Sequence, residues 1–286
     1  MKPGEPSETA LWMAHARAAH QVIDAAPHVL EDPIAPRLLT ERQRAELTEQ
    51  DSATTFRSSR PIRAFGVARS RYTEEALARA VAAGVRQYVV LGAGLDTFAY
   101  RNPFPHLRVF EVDHPATQAW KRERLGAAGI ALPDTVTYAP VDFESHPLAE
   151  GLAAVGFAPD APAFFSWLGV VIYLPRESFQ STLGYIAARP PGSGVCLDYL
   201  TTREEMRPVQ QRSLDAVTQQ VDRIGEPLRL MFPRAEMAAE LTRRGLTDLE
   251  DLNGEDLRAR YFAQRTDGLD PSVSVGRLVS AWIRAR

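Results

Sequence analysis

The side chains best suited to binding and chemistry fall at the ends of apolar runs. Gln87-Tyr88-Val89-Val90-Leu91 stops abruptly in Gly92-Ala93-Gly94-Leu95-Asp96-Thr97. A buried parallel strand that ends in Gly-x-Gly forms the crevice where open α/β sheets take ligands. Glycine lets the backbone approach a ligand closely, and the amides that follow can face polar or anionic groups. A second run, Arg108-Val109-Phe110-Glu111-Val112-Asp113, ends in an acid 21 positions past Gly92. Nucleoside-binding folds place a carboxylate for the ribose hydroxyls about 20 positions along, so Asp113 is the candidate and Glu111 the reserve. Asp142 and Phe143, after a third run, offer a carboxylate and a flat apolar face of the kind an adenine ring takes. Arg69 and Arg71 lie upstream on a helix, where residues two apart diverge. At most one of them can face the crevice.

The elements that must position these residues alternate. A helix capped by Ser7 starts at Glu8 and is ended by Pro27. The turn Glu31-Asp32-Pro33-Ile34-Ala35-Pro36 follows, then a charged helix from Arg37 to Glu49, so that residues 1–60 read as a helical cap or lid. A helix from Pro61 to Val81, with Gly84 as its cap, leads into the glycine-ended strand. Further strands are expected at 135–139, 163–167 and 194–199, with helices from Ala116 to Ala127 and from near Arg176. A helix-prone insertion spans about 200–232, and the chain closes with a helix over 234–244, a strand over 246–252, a short helix over 255–262 and a strand over 274–283. Five β/α units predict a parallel sheet with right-handed crossovers. The domain reading is therefore a cap, 1–60, on one α/β domain, 61–286.

Bulk properties narrow the function. With 286 residues and 45% hydrophobic content the chain can build a large core. A net charge of −3 gives no basic field for nucleic acid. No run approaches the ~20 apolar residues of a membrane span, and the first residues lack the pattern of a secretory signal. The single cysteine, Cys196, lies in an apolar run and reads as a core thiol, which fits a cytoplasmic setting. There is no Ser-His-Asp or Cys-His arrangement and no metal-ligand cluster. His106 and His146 read as surface residues beside prolines, and His114 as structural. Nothing in the sequence fixes the oligomeric state.

The cofactor candidates are nicotinamide dinucleotides, flavins and S-adenosylmethionine. The dinucleotide fingerprint needs a third glycine where this chain has Thr97, which disfavours a pyrophosphate. S-adenosylmethionine carries no phosphate. Its amino-acid end tolerates Asp96 in the turn, and its carboxylate could pair with Arg69 or Arg71.

Arg69-Ser70-Arg71-Tyr72, Leu91 to Thr97 with Tyr100-Arg101, Phe110 to Pro115, Val141-Asp142-Phe143 and Gly169-Val170-Val171-Ile172-Tyr173-Leu174 occur in an order and spacing that resemble the leucine carboxyl methyltransferase family. The likeness covers roughly residues 8–200. It is strongest to a bacterial branch of small-molecule O-methyltransferases, which shares Glu31-Asp32-Pro33-Ile34-Ala35. The resemblance implies a class I methyltransferase fold, a Rossmann-like, mostly parallel seven-stranded sheet with a reversed last strand. It also implies S-adenosylmethionine as cofactor, with Arg69 on the methionine carboxylate, Gly92 and Gly94 along the methionine, Asp113 on the ribose, and Asp142 and Phe143 around the adenine. One position departs: many members carry glutamate directly before Gly169, near the methionine amine, and this chain has Leu168. Asp96 or a backbone carbonyl would then take the amine.

The expected reaction is methylation of a carboxylate or hydroxyl on a small molecule. An ionised carboxylate needs no general base, unlike an alcohol or phenol. Tyr173 is the candidate for orienting the acceptor oxygen, with Tyr199 next. The acceptor walls are expected from 1–60 and 200–232. The competing readings are a non-catalytic S-adenosylmethionine binder and a nicotinamide-dependent oxidoreductase.

Overall fold

A computed structural model of the protein describes residues 7–49, 60–143 and 147–285; His146 lies outside the described residues. Seven strands form one sheet in the order β3-β2-β1-β4-β5-β7-β6. They are β1 (Gln87–Leu91), β2 (Arg108–Asp113), β3 (Val136–Pro140), β4 (Ala163–Trp167), β5 (Gly194–Leu200), β6 (Leu246–Leu252) and β7 (Gly276–Ile283). The first five pair in parallel, whereas β7 runs antiparallel to both β5 and β6. The reversed last strand that the family resemblance implies is present.

The strands that read as continuous apolar runs are the central ones. Every residue of β1, β4 and β5 is buried, as a parallel sheet covered on both faces requires. Alternate residues go to opposite faces, so Val89, Phe165 and Leu197 join one core and Tyr88, Val90, Phe164 and Cys196 the other. Each such large apolar side chain contributes ~1.5–3 kcal/mol through burial. Burial also pushes the Cys196 thiol up to about 12, in keeping with a core residue rather than a nucleophile.

The helices that cover the sheet are α1 (Glu8–Val22), α2 (Glu41–Glu49), α3 (Arg60–Ala82), α4 (Pro115–Ala127), α5 (Leu148–Ala154), α6 (Arg176–Ala187), α7 (Pro208–Arg223), α8 (Arg234–Arg243) and α9 (Gly254–Tyr261). Ser7 caps α1, accepting from the Ala10 amide at 3.2 Å. The second helix begins later than its composition predicts. Ala35–Leu38 is a separate 3-10 turn, and Leu39 is extended. Thr40 then starts α2 with reciprocal bonds, its amide donating to the Gln43 side chain at 3.0 Å and its hydroxyl accepting from the Gln43 amide at 3.2 Å. This capping box was present in the sequence and outweighs the helix-forming charges before it. The first helix also stops at Val22, short of Pro27. Helix α5 was not anticipated, because seven residues are too few to show a period. Among the described residues, no helix is long and apolar enough to cross a membrane.

Candidate active site

Because β1, β2, β4 and β5 run in parallel, their carboxyl ends open onto one side of the sheet. One cavity of about 360 Å³ lies there. It is walled by the turns after these strands, by α1 and by residues that follow α7. Every residue assigned to the cofactor from sequence borders it: Arg69, Gly92, Gly94, Asp96, Asp113, Asp142 and Phe143.

The glycine turn is built for close approach. Gly92 has φ +68°, and a Cβ there would sit 2.2 Å from Val170 Cγ2. Any other residue would strain the backbone and displace the turn after β4. The Gly94 amide donates to Asp113 Oδ2 at 2.6 Å and the His114 amide to Oδ1 at 2.7 Å. Burial pushes the Asp113 carboxyl above its ordinary value, while these two amides pull it back. The result is a carboxylate fixed at the end of β2 and bordering the cavity. Glu111 sits deeper, 1% exposed, 2.7 Å from Lys121 Nζ, so the reserve candidate is a core residue.

Asp96 borders the cavity and also braces its own turn. It accepts from the Phe98 amide at 2.8 Å. Although burial pushes its carboxyl up, Arg17, Lys121 and Arg101 together hold it below the ordinary value. His114 caps α4, its Nδ1 accepting from the Ala116 amide at 3.2 Å, and His106 is exposed.

Arg69 and Arg71 part company as helix geometry demands. Arg71 pairs with Glu75 one turn on, in an exposed contact of 2.7 Å, whereas Arg69 is buried and borders the cavity. Its guanidinium pairs with Asp198 near the end of β5. Asp198 in turn accepts from the amide of Gly169. Sequence reasoning passed over Asp198, although an acid at the carboxyl end of a buried parallel strand is itself a signal.

Tyr173 borders the cavity next to this pair. Burial pushes its hydroxyl far above the ordinary phenol range, with the Glu226 charge adding to the rise and the neighbouring Thr9 side chain pulling it back. Tyr199 also reaches the cavity, but its hydroxyl donates to Asp251 at 2.9 Å. Glu226 is the second residue the sequence did not reveal. It accepts from the Glu8 amide at 3.1 Å, the Thr9 amide at 3.4 Å, the Thr9 hydroxyl at 2.6 Å and the Ser7 hydroxyl at 3.3 Å. A carboxylate at the N-terminus of α1 satisfies its orphan amides and complements its dipole. Nothing in the local sequence marks it, since it falls within the charged stretch over about 200–232 that reads as a helix-prone insertion.

Among the described residues, no group of His, Cys, Asp and Glu could hold a metal ion. The topology and the strand-end site are those of a class I methyltransferase. The chain belongs to the leucine carboxyl methyltransferase family, whose sequence pattern matches residues 10–187, and with it to the S-adenosylmethionine-dependent methyltransferases. A Bacillus subtilis (strain 168) protein, YktD, named as a candidate S-adenosyl-L-methionine-dependent methyltransferase, is 30% identical over 94% of this chain and 95% of its own. A similarly named Mycobacterium sp. (strain KMS) protein is 34% identical over 83% of this chain and 82% of its own. In fold, the chain resembles a crystal structure of a candidate methyltransferase from Thermobifida fusca YX, with TM-score 0.60, 16% identity and coverage of 99% and 97%. It also resembles a DUF574 family protein from Streptomyces avermitilis, with TM-score 0.56, 18% identity and coverage of 94% and 96%.

Proposed function

We propose that the protein is an O-methyltransferase that moves a methyl group from S-adenosylmethionine to a carboxylate or hydroxyl oxygen of a small molecule. The observation that carries this reading is the continuity of the cavity. One cavity is bordered by Asp113, Gly92 and Phe143, by Arg69 and Tyr173, and by the apolar side chains of Met13, Phe65, Ile172, Val217, Val221 and Val275. The residues fit the cofactor: a fixed carboxylate suits the ribose, a turn without Cβ atoms suits the methionine, and Phe143 offers its ring to the adenine.

S-adenosylmethionine supplies the electrophile, a methyl on a positively charged sulfur. An acceptor oxygen would displace that methyl from sulfur, a carboxylate without loss of a proton and a hydroxyl with release of its proton to solvent. The protein's contribution is to align the partners and exclude water. A carboxylate acceptor is already ionised at neutral pH. The Tyr173 phenol stays protonated there, so it can donate a hydrogen bond to the acceptor oxygen but cannot act as base. The apolar lining, contributed by α1, α3, α7 and the loop before β7, favours an acceptor with a largely hydrophobic body.

The test is incubation with methyl-labelled S-adenosylmethionine and a panel of hydrophobic carboxylic acids, phenols and alcohols. Label should enter at least one class. Release of the label by mild base identifies a methyl ester, and resistance identifies an ether. Tyr173→Phe should lower kcat/KM about 10- to 100-fold, the loss of one hydrogen bond in a dry site, with cofactor affinity unchanged. Absence of transfer to every class would contradict the proposal.

A further inference from the structure

Where the family resemblance implies a glutamate before the Gly169 turn, this chain has Leu168, which packs against one of the two sheet cores and borders the cavity. Something else must meet the positive amine of the cofactor. We propose that Asp198, one strand over, receives that ammonium group. The inference rests on the cofactor reading above and deepens it.

Three observations converge on Asp198. Its carboxylate is 5% exposed and borders the cavity. It accepts from the Gly169 amide, so its carboxylate lies against the residue that directly follows position 168. It also pairs with Arg69, the candidate for the methionine carboxylate. Gly169 makes this arrangement possible: it has φ +71°, and a Cβ would lie 3.0 Å from Arg69 Nη2. A side chain at Gly169 would push the guanidinium off the turn.

Charge matching gives the physical reason. The amino-acid end of the cofactor carries one positive and one negative charge, and burying either without a partner is costly. Arg69 and Asp198 present the complementary pair, already held together and net neutral. A carboxylate has about four acceptor sites, and the bonds to Arg69 and Gly169 account for two. The earlier candidate, Asp96, is a poorer one. Its charge is already balanced by Arg17, Lys121 and Arg101, and it caps the turn at Phe98.

The test is calorimetry with S-adenosylhomocysteine and its des-amino analogue on the intact protein and on Asp198→Asn. Asparagine keeps the shape and can still accept from Gly169. The intact protein should bind the des-amino analogue about 10- to 100-fold more weakly than S-adenosylhomocysteine, as loss of a charged hydrogen bond dictates. In Asp198→Asn the two ligands should bind alike, within about threefold. Adding Leu168→Glu to Asp198→Asn should restore preference for the amine. Equal losses for both ligands in Asp198→Asn would overturn the proposal, because Asp198 would then act only through Arg69 or through folding. So would an unchanged preference for the amine. Failure of the intact protein to bind S-adenosylhomocysteine at all would instead overturn the cofactor reading itself.

Discussion

The Thr97 hydroxyl donates a 2.6 Å hydrogen bond to Asp32, and both residues are fully buried. Thr97 stands where a dinucleotide fold would have its third glycine, and here it ties the glycine turn to the turn that follows α1. Asp32 also lies 3.4 Å from Arg17 and 3.6 Å from Arg101, so one carboxylate joins the turn after the first helix to two cations and to the cofactor loop. Asp32→Asn should destabilise the fold by ~2–4 kcal/mol, because it takes the charged acceptor from Thr97 and from Arg17, while Arg17 keeps the Leu95 carbonyl and Arg101 keeps Glu74. Thr97→Val removes only one hydrogen bond and should cost ~1–3 kcal/mol. Denaturant unfolding measures both, and equal losses would contradict the ranking.

Glu226 fastens the start of α1, and both Glu226 and residues of α1 border the cavity. Glu226→Ala removes four accepted hydrogen bonds at a helix N-terminus, which should cost ~1–2 kcal/mol and raise KM for the acceptor several-fold. Affinity for the cofactor should stay within about twofold. The measurement is steady-state kinetics beside calorimetry, and a loss confined to cofactor affinity would place the latch elsewhere in function.

Glu111 makes stability depend on pH. Burial pushes its carboxyl up to about 7 from an ordinary 4.5, against the pull of Lys121. The folded protein therefore holds this proton more tightly than the unfolded chain does. The contribution to stability is fully present below about pH 4.5, declines as pH rises, and is gone above about 7. The change across that window is about 3 kcal/mol, at ~1.4 kcal/mol for each unit. The difference in unfolding free energy between the intact protein and Glu111→Gln/Lys121→Met should fall with pH over this range. A flat difference would contradict the shift.

The parts of the fold that were legible in sequence were those set by local physics. Gly92 and Asp113 announce the strand ends because a close backbone approach and a carboxylate about 20 positions apart are rarely coincidental. Arg69 and Arg71 were separable because helix geometry forbids a shared face. What stayed hidden depended on contacts distant in the chain. Asp198 gains its place from Arg69, 129 positions away, and Glu226 from Thr9, 217 positions away. Leu168 stands where the resemblance implies a glutamate, and the pairing of β4 with β5 brings Asp198 beside the turn that follows it.

The most direct test of the account is calorimetric titration of the intact protein and of Asp113→Ala with S-adenosylmethionine, with NADH as control. The account predicts saturable binding of S-adenosylmethionine and none of NADH. It also predicts at least about a 10- to 100-fold loss of affinity in Asp113→Ala, as expected when a buried charged acceptor is removed. No binding by the intact protein, or unchanged affinity in Asp113→Ala, would contradict it.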